Sequence, residues 1–184
     1  MSFEFHTPAV GRFMEIVRAW ALHPWPMTRA QGIATYKALG WVRADDDIES
    51  FTTDCTGDEA ESFFYVEEGK VESVSIAVSP IVPPPHRSAC SSAIGEFCGL
   101  YAEALREQLR ATALREQWGE PLRESVNERG TRHYDWIVPG GALVSLTANK
   151  AIILLGVSSP GSADELLAEL RTGKSIFDDP DAMP

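Results

Sequence analysis

The chain predicts an α+β fold built from two similar helix-then-antiparallel-strand halves, with helices packed on one face of the sheet. Three observations carry that reading. Residues 65–80 (YVEEGKVESVSIAVSP) and 145–160 (SLTANKAIILLGVSSP) share one organisation: strand, tight turn, strand and a closing Ser-Pro. In ungapped register they agree at Lys70 and Lys150, Ser79 and Ser159, and Pro80 and Pro160, with Val66 and Val74 opposite Leu146 and Leu154. A helix-like stretch ending in a Trp/Gly junction precedes each, Leu39-Gly40-Trp41 in one half and Trp118-Gly119-Glu120-Pro121 in the other. Between the halves, Ile81-Val82-Pro83-Pro84-Pro85 fixes φ and removes backbone donors, which favours a stiff polyproline II connector.

The organisation that follows is one domain over residues 1–176. Halves 11–82 and 88–160 are joined by the Pro-rich connector 83–85, followed by a C-terminal helix over 162–172 and a disordered acidic tail over 177–184. A chain of 184 residues buries a sizeable core but is short for two independent domains, so the halves are expected to complete one sheet.

Phe13, Ile16, Val17 and Trp20 recur at helical spacing and give the first helix an apolar stripe, which His23-Pro24-Trp25-Pro26 must end. Thr28 offers a side-chain cap for a second helix through Leu39, and Gly32 inside it marks a close approach. Short alternations follow, with Ile48 and Phe51 on one strand, Phe63 and Tyr65 on the next, and Val74, Ile76 and Val78 after the Glu68-Gly69 turn. Serines 73, 75 and 79 fill the opposite phase, as in an antiparallel sheet with one apolar and one polar face.

Ser88 or Ser91 can cap a long helix whose apolar positions Ile94, Phe97, Cys98, Tyr101, Leu105 and Leu109 step by three or four residues. Leu114 and Trp118 continue it or begin another. Tyr134, Trp136 and Val138 then alternate, and the continuous apolar run 151–157 predicts a central strand.

Charge and cysteine usage bound the function. A formal net charge of −11 disfavours a grip on nucleic-acid phosphates or anionic lipid, and permits a basic partner. Cys55, Cys90 and Cys98 form no CxxC pair and fit reduced thiols, so a cytoplasmic location is expected. No basic-then-apolar leader and no run of membrane-spanning length stands in the sequence.

Catalytic patterns are scarce. His6, His23, His86 and His133 never fall at metal-ligand spacing, and no nucleophile elbow, P-loop or dinucleotide fingerprint occurs, so neither metal nor cofactor is expected. His86 and Cys90 lie one helical turn apart, but a lone cysteine beside Ser and Ala fits a small buried residue better than a nucleophile. The densest carboxylate cluster is Asp45, Asp46 and Asp47, extended by Asp54, Asp58 and Glu59. It lacks the glycine and spacing of a calcium loop, and is expected to be a solvated loop or an acidic docking surface for a partner.

Leu39-Gly40-Trp41, the strands after it, Trp118-Gly119-Glu120-Pro121, Tyr134-x-Trp136 and the final apolar hairpin together resemble small actinobacterial proteins of the polymorphic-toxin immunity type. The resemblance covers Trp25 to Pro160. It implies a non-enzymatic protein that binds and neutralises a cognate toxin, often a basic enzyme, and it transfers no catalytic residue. Trp25, Trp41, Tyr65 and Trp136 are candidate anchors in such an interface or members of the core. Two other readings stay open: a secretion chaperone or adaptor, favoured by a homodimer, and a small-molecule domain with a pocket between the halves.

Overall fold

The computed structural model describes residues 3–44, 49–56, 61–112 and 120–172. Those residues form four α-helices, α1 (Val10–Ala21), α2 (Arg29–Ala38), α3 (Arg87–Thr112) and α4 (Pro160–Thr172). Strands β1 (Met27–Thr28), β2 (Val42–Arg43), β3 (Ser50–Thr52), β4 (Glu61–Glu67) and β5 (Lys70–Ala77) precede α3. After it come β6 (Arg123–Val126), β7 (Arg132–Ile137), β8 (Leu143–Ala148) and β9 (Ile153–Ser158). The fold is α+β, as the sequence predicts.

All nine strands enter one antiparallel sheet in the order β2-β3-β4-β5-β9-β8-β7-β6, with β1 alongside β5. Each half is a four-strand meander, and the two meet by their last strands, Val74 opposite Val157 and Ile76 opposite Leu155. This symmetry is one of topology; a duplication of sequence still rests on the few matches in the two hairpins. β9 sits at the centre, where its apolar run requires it.

Helices α1, α2 and α3 lie on one face. The predicted stripe of Phe13, Ile16, Val17 and Trp20 is buried in a single cluster with Tyr101 and Leu105 of α3 and Val74, Ile76, Leu146, Leu155 and Val157 of the sheet. Phe13 stacks on Tyr101 at 4.1 Å, while Phe51 is stacked by Tyr36 and Trp41 from either side of the first half. Burial of such side chains, at about 1.5–3 kcal/mol each, is the main driving term. α4 packs on β8 and β9 through Ala163 and Leu166, which stand apart from the main cluster.

Local signals explain the boundaries. Thr28 caps α2 in a full capping box with Gln31, satisfying donors at both ends of the first turn. Gly40, at φ 80°, ends the helix in a Schellman motif: its N–H donates to the Lys37 carbonyl, and the Trp41 N–H donates to Tyr36. Gly32 is the close approach its position suggests, since a Cβ there would stand 3.1 Å from Val71 Cγ2 and 3.4 Å from the Phe64 ring.

Three expectations need correction, the first being the cap of the long helix: α3 begins at Arg87, so Ser88 and Ser91 both lie inside it. Pro83 does adopt polyproline II angles, but Pro84–His86 already wind into a 3-10 turn that runs straight into α3 at Arg87. Proline suits a helix start because no amide is needed there, so helix replaces the extended connector. In β4 the sheet phase is the reverse of the expected one: Phe64 is buried, and Phe63 and Tyr65 are exposed on the other side. Leu114 and Trp118 lie outside the described residues, as do Ile48 and the tail 177–184.

The sheet ends differently on its two sides. β2 is only two residues long, whereas β6 offers four residues, Glu124, Ser125 and Val126 among them exposed. No described helix is long and apolar enough to cross a membrane.

Candidate functional site

Strand registers place one row of side chains straight across the sheet face opposite α1–α3. Phe63 faces Ser75, Ser75 faces Gly156, Gly156 faces Ser145, Ser145 faces Asp135, and Asp135 faces Arg123. Tyr65 lies beside Phe63 two residues on, opposite Ser73, which is paired in turn with Ser158. The row therefore runs from an aromatic ridge, across small side chains at the joint of the halves, to a charged cluster.

At the aromatic end, Phe63 is 50% and Tyr65 56% exposed. Their strand partners among the described residues are serines, Ser50 and Ser75 beside Phe63 and Ser73 beside Tyr65. Among the candidate anchors Trp41 and Trp136 are buried in the core and Trp25 is partly buried against it, which leaves Tyr65 as the one on the surface.

At the polar end the Asp135 carboxylate is fully buried. Its Oδ1 accepts from Ser145 Oγ at 2.5 Å, and its Oδ2 accepts from Arg123 Nε at 2.6 Å and from His133 Nε2 at 2.9 Å. His133 Nδ1 shares a hydrogen bond with Thr147 Oγ1 at 2.7 Å, and its Nε2 also stands 3.2 Å from Arg123 Nη2. Burial alone pushes Asp135 up, yet hydrogen bonds from His133 and Ser145 and the charges of His133 and Arg123 hold it below the ordinary carboxylate range. Ser145 gives its proton to the carboxylate, and the hydroxyl bonded to the histidine is that of Thr147, so hydroxyl, imidazole and carboxylate run in the order Thr147, His133, Asp135. The cluster is an anchored polar patch. The sequence carried a signal for it, His133-x-Asp135 on one strand face with Ser145 opposite, which spacing rules for metals do not seek.

Of the acidic docking candidates, Asp54 is described. Its carboxylate accepts from Arg12 Nε at 3.0 Å and from Trp41 Nε1 at 2.7 Å, tying α1 to the Trp41 junction. Burial raises this group, and the bonds from Arg12 and Trp41 more than reverse it, so it stays ionised below the usual range. Asp45, Asp46, Asp47, Asp58 and Glu59 lie outside the described residues. The three cysteines are free and buried, and burial pushes the Cys55 thiol up to about 12 and Cys98 to about 11, so both are held as unreactive thiols. His86 stacks on Phe3 at 5.8 Å. Among the described residues no group of three His, Cys, Asp or Glu is arranged as metal ligands.

Fold and surface together define a single-sheet α+β protein with an aromatic ridge and a buried polar cluster on one face. Residues 11–159 match the model of a family of unknown function, DUF6301, and the chain belongs to that family. No curated protein and no solved structure matches the chain.

Proposed function

We propose that this protein works by binding, capturing a basic protein domain on the sheet face that carries Phe63 and Tyr65, as an immunity protein captures its cognate toxin. The exposed aromatic ridge is the observation that supports this most directly. Tyr and Phe side chains supply large contact area at low entropic cost, and tyrosine is enriched among residues that dominate interfaces. A net charge of −11 selects the sign of the partner: complementary fields speed encounter with a basic surface and discourage acidic ones. The carboxylates of Asp45, Asp46, Asp47, Asp54, Asp58 and Glu59 contribute to that charge and are the proposed steering set.

The test is affinity capture from host lysate with the parent protein and with Phe63→Ala/Tyr65→Ala. The expected result is a basic protein retained by the parent and weakened at least 100-fold by the double variant, about 2.7 kcal/mol for two anchors. That protein should be toxic when expressed alone and harmless when co-expressed. Equal retention by both forms, or a retained protein without toxicity, overturns the reading. A parent dimer that dissociates in the double variant would instead assign the ridge to self-association.

A further inference from the structure

Two adjoining cavities open where the β6–β7 and β8–β9 turns meet the first turns of α3. The deeper, of about 130 Å³, is lined by Ser91, Gly95, Arg132, Asn149 and Lys150 among others. The wider, of about 630 Å³, shares Asn149 and Lys150 and adds Arg87, Arg129 and Glu128. Apart from Arg87 at the start of α3, the lining of both comes from the second half, so neither is a pocket between the halves.

Four cations here face the one carboxylate of Glu128, in a chain with 16 basic against 27 acidic side chains. Among the described residues Arg12, Arg29, Arg106, Arg110 and Arg123 pair with carboxylates, and Arg18 donates to the Gln108 amide oxygen. Arg129, Arg132 and Lys150 have no ion-pair partner among the described residues. Like charges gathered without counter-charges repel one another, a cost that an anionic ligand removes.

The scaffold under them is fixed. Asn127 Oδ1 accepts from the amides of Arg129 and Thr131, and Asn149 Oδ1 accepts from those of Ala151 and Ile152, so side-chain-locked turns carry Arg129 and Lys150. Arg87 Nε donates to the Val82 carbonyl at 3.2 Å, and the Val82 amide donates to Ala151, joining the start of α3 to the same turn. Arg132 lies along α3, its Nη2 3.8 Å from where a Cβ on Gly95 would stand.

We propose that this end of the molecule binds a small phosphorylated metabolite. Its phosphoryl group enters the deeper cavity between Arg132, Lys150 and the Ser91 hydroxyl, and its remaining part lies in the wider mouth beside Arg87 and Arg129. Guanidinium forks and an ammonium suit the several oxygens of a phosphate better than a single carboxylate does. The inference stands apart from partner capture, which uses a different set of residues.

Isothermal titration with pyrophosphate at low ionic strength tests it, using the parent, Arg132→Gln/Lys150→Gln, and Lys37→Gln as a control for loss of surface charge. Expected are saturable one-to-one binding by the parent, at least tenfold weakening in the double variant, no change in the control, and unaltered melting of all three. Amide shifts at Gly95 and Gly130 on titration would place the anion in the cavity. Absence of saturable pyrophosphate binding overturns the proposal, as does equal affinity for citrate, or an affinity unaffected by the double substitution.

Discussion

Asp135 concentrates the polar chemistry of the second half in one buried carboxylate, and its removal is correspondingly costly. Replacing it with Asn leaves Arg123 facing a neutral group and one oxygen exchanged for a donor, so Asp135→Asn is expected to lose about 3 kcal/mol, in the range for breaking a buried pair. For a chain of this size that lowers Tm by roughly 6–12 °C. The sign with pH follows from the direction of the shift. A carboxyl held below its unfolded value of about 3.9 binds fewer protons when folded, so its stabilisation is complete above that value and is lost as pH falls from there through the lower folded value. Melts from pH 7 to 3 should therefore show the parent losing stability faster than the variant on the acid side; parallel curves would contradict the assignment. The signal His133-x-Asp135 is faint in the sequence, because the meaning of Asp135 depends on which side chains the register of β6, β7 and β8 brings opposite it.

At the scale of elements, the sequence was most legible where local chemistry decides. Thr28, Gly40 and the α1 stripe each carry a mechanism confined to a few residues, and the structure forms all of them. Thr28→Ala should cost about 1 kcal/mol through the lost capping box, with Thr28→Ser largely restoring it, as measured by chemical denaturation. Gly32→Ala is a sharper case, because alanine favours the helix by about 1 kcal/mol while its methyl meets fully buried, β-branched Val71 at 3.1 Å. Overpacking typically costs 1–3 kcal/mol, so a net loss of about 1 kcal/mol is expected, and a gain would show that β1 and β5 yield easily. Phe63-Phe64-Tyr65-Val66 was illegible for a physical reason. An unbroken apolar run has no polar phase to choose a face, and only packing against α2 decides that Phe64 goes inside.

For the whole molecule, the joint between the halves is a full strand pairing of β5 with β9 over a shared core, which predicts a single cooperative unfolding transition. Far-UV circular dichroism and tryptophan fluorescence should give coincident denaturation curves, since Trp20 and Trp41 report the first half and Trp136 the second. Separated transitions would mean that the halves fold alone. The sequence foretold the class and the two matching hairpins, but not that the meanders would meet by β5 and β9, because strand order depends on long-range pairing that no local pattern encodes. The unlike ends of the sheet add one more consequence. Among the described residues a two-residue β2 is too short to template a further strand, and β6 is the longer terminal strand from which strand addition can start. Two copies joining there by antiparallel β6–β6 pairing would use up both starting points at once, closing a two-fold pair in place of an endless ribbon.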